Sequence, residues 1–147
     1  PDAKATYEAN AKQFLDRIAA METTVKEAIP KLPPERRKII TTHDAFGYFG
    51  AAYGMEFIAP EGVSTESEAP AKDVAKIIRQ IKAEKVPAVF LENVTDSRLL
   101  DQIAKETGAK IGGTLFSDAL SPPDGPAGTY LDMFRNNIET MSEALSS

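Results

Sequence analysis

The 147-residue chain has no cysteine, no tryptophan and a single histidine. Without cysteine there is no disulfide, no iron–sulfur cluster, no thiolate nucleophile and no Cys-based zinc site. That absence does not fix a compartment, because a cysteine-free chain tolerates reducing and oxidising surroundings alike. No run of about 18 apolar residues occurs, so no segment reads as a membrane-spanning helix. Bases are in the minority, 17 against 22 acids, for a net charge of −5. Nucleic acid is therefore not expected as a partner, since neutralising phosphates needs a basic face. There is no Gly-x-Gly-x-x-Gly, no phosphate loop ending in Gly-Lys-Ser/Thr and no Gly-x-Ser-x-Gly elbow. Gly112-Gly113 alone is a weak hint of nucleotide binding.

What is present reads as one globular domain. Hydrophobic residues make up 42% and charged residues 27%. A chain of this length can bury roughly two-thirds of the surface its unfolded form exposes. Pro1-Asp2-Ala3-Lys4 is neither an initiator methionine nor a signal peptide, so the expectation is a processed start or a piece of a longer protein.

Patterning along the chain alternates helix and strand. Tyr7, Ala11, Phe14, Leu15, Ile18, Met21, Val25 and Ile29 recur at three- and four-residue steps, predicting one long helix from Ala3 to Ile29 that Pro30 ends. A helix of that length hints at a spine leading to something else. Lys38 to Thr42 is short and β-branched and reads as a strand. A short helix over Ala45 to Tyr53, closed by Gly54, and a second strand over Met55 to Ala59 follow. A loop from Pro60 to Ala69 leads into a helix over Ala71 to Lys85 with Val74, Ile77, Ile78 and Ile81 inside. Ala88-Val89-Phe90-Leu91 is apolar on both faces, as a central parallel strand should be. Helices over Ser97 to Thr107 and Thr129 to Leu145 flank a fourth strand over Lys110 to Leu115. The fold class expected is α/β, a four-stranded parallel sheet flanked by helices and preceded by the end of a long linker helix.

In such sheets ligand chemistry gathers at the carboxyl ends of the strands. Those ends deliver His43 and Asp44, then Glu61 with Ser64-Thr65-Glu66-Ser67-Glu68, then Glu92 and Asn93, then Ser117 and Asp118. A lone histidine often does no more than satisfy a local hydrogen bond. Its company is the reason to look further: an Asp118 oxygen complements a His43 nitrogen around zinc or manganese, and Glu92 could orient the imidazole from behind. Glu92 could equally cap the following helix. Ser64, Thr65, Glu66 and Glu68 look like ligands for a hard cation, but Ser67 or Glu68 ahead of Pro70 is also what a helix N-terminus wants. Asp44 is expected to cap the short helix after His43, and Phe46, Tyr48 and Phe49 to pack in the core. His43 and Asp118 alone are two ligands short of a usual tetrahedral site.

Thr41-Thr42-His43-Asp44-Ala45-Phe46-Gly47-Tyr48-Phe49 with Ala52-Tyr53-Gly54 resembles the segment around a metal-binding histidine in bacterial zinc/manganese solute-binding proteins of ABC transporters. Gly62 to Ala69, Phe90-Leu91-Glu92-Asn93 and Leu115 to Leu120 resemble later segments of the same family, in order, so the likeness runs from about Ala5 to Leu145.

The resemblance implies two α/β lobes joined by one long helix, with a divalent ion in the cleft between them. Two ligands come from the amino-terminal lobe and two from the carboxy-terminal lobe, which by motif are His43 and Asp118 here. Glu92 and Glu68 are carried as supporting residues. Residues 1–30 would be the end of the spine and 31–147 the carboxy-terminal lobe, with the amino-terminal lobe absent. The ion, zinc or manganese, is cargo to be delivered to a membrane permease, not a catalyst. Histidine rather than glutamate at position 43 leans towards zinc, although it suits manganese too. The expected location is periplasmic or lipid-anchored at the outer face of the cytoplasmic membrane. Three other readings stand beside this one: a surface adhesin of the same fold, a small flavodoxin-like enzyme using His43 and Asp118, and a lobe that completes its site by metal-mediated pairing.

Overall fold

The computed structural model describes residues 2–60, 62 and 70–146. A 25-residue helix, α1 (Lys4–Ala28), opens the chain, and Pro30 tightens its end into a 3-10 turn over Ile29–Lys31. β1 (Lys38–Ile40), α2 (Gly47–Tyr53), β2 (Glu56–Ile58) and α3 (Ala71–Glu84) come next, then β3 (Ala88–Glu92), α4 (Arg98–Thr107), β4 (Lys110–Leu115) and α5 (Tyr130–Ser146). The strands lie in the order β2-β1-β3-β4, and every pairing is parallel. Parallel pairing puts all four carboxyl ends on one rim. The winding direction reverses between β1 and β3, which makes the gap between their ends the natural place for a ligand.

Two-residue periodicity sorts the sheet into two layers. Ile39 and Phe90 face one side, where Val25, Ile29, Leu32, Leu115, Ile138, Met141 and Leu145 complete the core beneath α1, α2 and α5. Ile40 and Val89 face the other, against Ile77 and Ile81 of α3 and Leu100 and Ile103 of α4. Ala88, Val89 and Phe90 are wholly buried, as an apolar central strand requires.

Strand β4 carries the one irregularity between β3 and β4. Val89 pairs with Ile111 but Phe90 pairs with Gly113, so Gly112 is an extra residue. Gly113 has a φ of 133°, where side chains are strained, and a Cβ on Gly112 would fall 2.6 Å from the Phe90 ring and 2.9 Å from Cβ of Ala144. The glycine pair thus serves packing and chain geometry within the sheet.

Helix α1 buries little of its own surface. Val25 alone is fully buried, whereas Tyr7 and Leu15 are 71% and 62% exposed. Phe14 of α1 meets Tyr130 of α5 at 6.2 Å between ring centres, and Val25 joins the main core.

Candidate functional site

β1 ends at Ile40, and the chain runs on through Thr41, Thr42 and His43, all buried. The neighbouring strand, β3, ends at Glu92, whose side chain is also buried. Its Oε1 accepts hydrogen bonds from the backbone N–H of Thr42 (2.8 Å) and of His43 (2.9 Å). Its Oε2 lies 2.7 Å from Nδ1 of His43. Among the described residues neither of these last two atoms has a hydrogen-bond partner, so their 2.7 Å contact is a close charge approach and not an aligned hydrogen bond. A buried carboxylate without donors would be costly, and here two backbone N–H groups donate to it with the imidazole close beside. Glu92 caps no helix: α4 starts at Arg98 with Ser97 before it, so the capping alternative is set aside.

Asp118 arrives from the far side, three residues beyond the end of β4. Its carboxylate is 63% exposed, and Oδ2 sits 3.2 Å from Nε2 of His43. In the tautomer that carries its proton on Nδ1, Nε2 offers a lone pair to an oxygen that also offers one; in the other, Nε2–H donates to Oδ2 directly. Two acceptors at that distance need something positive between them, a proton or a cation. Ligands at about 2.1 Å from a tetrahedral ion stand about 3.4 Å apart, close to the spacing found. Among the described residues no group of three or more His, Asp or Glu side chains could hold a metal ion.

The surroundings are an open pocket of about 650 Å³, lined by His43, Asp44, Ala45, Gly47, Tyr48, Ala51 and Asp118. Two expectations fail here. Asp44 makes no capping bond to α2; Phe46 stands at the cap position, and the Asp44 backbone N–H donates instead to the Gly62 carbonyl at 3.1 Å. Tyr48 is 96% exposed and lies on the pocket rim, not in the core. A seven-residue helix has one inner face, and Phe46, Phe49 and Tyr53, spaced by three and four, occupy it. Phe46 stacks on Phe57 at 5.1 Å, which leaves position 48 pointing away. Glu61 and the stretch from Ser64 to Glu68, the proposed hard-cation loop, lie outside the described residues.

Asparagines complete the rim. Asn93 donates through Nδ2 to the Ala119 carbonyl at 3.1 Å, and its Oδ1 accepts from the Ser117 N–H at 3.4 Å. Asn137, on α5, had no role in the sequence reading. Its Oδ1 accepts from the Phe116 N–H at 2.9 Å and its Nδ2 donates to the Phe116 carbonyl at 2.8 Å. The available signal was a polar residue inside the apolar stripe of Phe134, Ile138 and Met141.

The chain as a whole has known relatives. The family model described as "Zinc-uptake complex component A periplasmic" matches residues 1–144. The zinc-binding protein TroA of Treponema pallidum is 39% identical over 140 residues, covering 92% of this chain and 44% of that protein. The manganese-binding lipoprotein MntA of Bacillus subtilis is 33% identical over 144 residues, covering 95% and 47%. Among solved structures, the T. pallidum zinc-binding protein superposes with a TM-score of 0.94 at 34% identity, covering 99% of this chain and 54% of that one. The manganese-bound periplasmic metal-binding protein of Candidatus Liberibacter asiaticus superposes with a TM-score of 0.87 at 30% identity, covering 99% and 53%. The chain spans about half the length of the curated relatives it matches. It belongs to the family of the periplasmic zinc-uptake component A, whose α/β architecture with a four-stranded parallel sheet it shares.

Proposed function

We propose that this chain carries one half of a divalent-metal site, with Nε2 of His43 and a carboxylate oxygen of Asp118 as ligands. Glu92 holds the imidazole in place and keeps Nδ1 protonated, so that Nε2 is the donor atom. The single observation that carries the reading is the 3.2 Å approach of Nε2 to Oδ2, backed by the buried Glu92 behind the ring. In the whole protein the ion, zinc or manganese, is cargo: it is captured outside the cytoplasmic membrane and handed to an ABC-transporter permease. The remaining ligands come from an amino-terminal lobe, with residues 1–30 as the end of the connecting helix and 31–147 as the carboxy-terminal lobe. The location is periplasmic or lipid-anchored. The related proteins compared above are named for metal binding, so the enzyme and adhesin readings gain nothing from them.

Isothermal titration calorimetry with zinc and with manganese tests the assignment. Two protein ligands give a loose site, so the expected result is weak binding by the parent chain, lost in both His43→Ala and Asp118→Ala. A variant that binds as well as the parent removes that residue from the ligand set. Tight binding accompanied by dimerisation would mean that two copies complete one site between them.

A further inference from the structure

The carboxylate of Asp118 makes one contact in the described structure, to His43, and is otherwise exposed. Its backbone surroundings are the opposite. Leu115 accepts from the Asn93 N–H at 3.1 Å, Phe116 has both its N–H and its carbonyl bound to Asn137, and Ser117 and Ala119 are bound to the Asn93 side chain. Five backbone groups across Leu115 to Ala119 are therefore satisfied by two asparagines from different elements. Asn137 is 7% exposed and uses both ends of its carboxamide on one residue. A carboxamide has the same donor and acceptor pair as a peptide unit. It extends the sheet's hydrogen-bonding by one residue past the last strand, where the chain would otherwise begin to wander.

We propose that Asn137 is a positioning residue for Asp118, fixing where its carboxylate meets His43 by holding the backbone two residues before it. This rests on the metal reading given above, because only then does the placement of Asp118 matter to a ligand. A rigid supporting shell of this kind is what a site needs when the ligating side chain is itself exposed and has several rotamers. Asn93 supports the same loop from β3. The two grips differ in burial, and Asn137 is the one that also ties the loop to the packed face of α5.

The test is zinc titration of the 147-residue chain followed by NMR at two reporters, the His43 imidazole and the Asp118 amide, with amide hydrogen exchange measured at Phe116. In the parent both reporters respond to zinc together. In Asn137→Ala zinc affinity should fall about tenfold, and at saturating zinc the His43 shift should keep its parental size while the Asp118 shift shrinks, with the Phe116 amide exchanging at least tenfold faster. Asn137→Asp keeps the acceptor for the Phe116 N–H and loses the donor to its carbonyl. It should show the same pattern in weaker form, and it carries the test if the alanine variant does not fold. Unchanged protection at Phe116, or an Asp118 response at parental affinity, overturns the proposal. So does a loss of shift at saturating zinc that both reporters share equally, which marks a merely structural residue. If the parent's reporters ignore zinc altogether, the ligand assignment falls and the metal half of the proposal with it, while exchange at Phe116 still decides whether the grip exists.

Discussion

His43 and Asp118 reach the same point by opposite means. The histidine is locked through its side chain: its ring is buried, with Glu92 against Nδ1 and the same carboxylate on its own backbone N–H. The aspartate is free in its side chain and held through its backbone. The lesson concerns preorganisation. A buried imidazole has one useful nitrogen, so everything depends on ring orientation. An exposed carboxylate has two equivalent oxygens and tolerates rotation, so only its point of attachment must be fixed. Substitutions should therefore hit the two halves unequally.

The largest effect is expected from Glu92→Ala. It strips the shared acceptor from the N–H groups of Thr42 and His43 and takes the carboxylate away from Nδ1, all in the interior. Breaking a buried charged network of this kind costs about 3–5 kcal/mol, which urea unfolding would read directly. A variant as stable as the parent would remove the distinction between the two halves. Next come the ligands themselves. Both alanine variants should lose zinc, but their stabilities should differ: His43→Ala by about 1–3 kcal/mol, since it leaves Oε2 of Glu92 without the imidazole beside it, and Asp118→Ala by no more than about 0.5 kcal/mol. Equal losses would mean that Asp118 contributes more to the fold than its exposure implies.

The smallest effect belongs to the opposite rim, at the amino ends of β1 and β2, where Lys38 bonds to Glu84 and also reaches Glu56 at 3.0 Å. The Lys38 ammonium holds the Glu84 carboxyl below the usual carboxylate range, chiefly through that hydrogen bond. Protonating Glu84 is thus harder in the folded state. Its contribution is present above the ordinary carboxylate range and fades as pH falls through the lowered value. Lys38→Met should make the acid limb of a stability–pH curve slightly shallower and leave zinc titrations untouched. Because the pair is solvent-exposed, the change should be barely above measurement error. Any effect on zinc would show that the two rims of the sheet communicate.

The long elements were legible because a face repeats many times along them. Ile77 and Ile81 of α3, and the run Ala88 to Phe90, declare their burial through spacing alone. The rim was legible too, since parallel strands can only deliver His43, Glu92 and Asp118 to one side. Two kinds of feature were not. The α2 helix is too short for its periodicity to choose a face, so Tyr48 was placed inside when three other aromatics fill that space. Asn137 was missed because its partner lies 21 residues away. A side chain bonding to a distant backbone leaves no local pattern, only an oddly polar position on an apolar stripe. Asp44 is not the cap because α2 begins at Gly47, which puts Phe46, two residues further on, at the cap position.

The extra residue in β4 carries a consequence for phase. Side chains of a strand alternate sides, so inserting one residue inverts every later position. Without the shift at Gly112, Glu92 would stand opposite Thr114 instead of Leu115. Leu115 would then turn out of the core that it now fills, and everything after it would turn as well. Deleting Gly112 would take the bulge away yet keep Gly113 opposite Phe90 and Leu115 opposite Glu92, so the register at the rim survives that deletion, whereas deleting Thr114 would shift it.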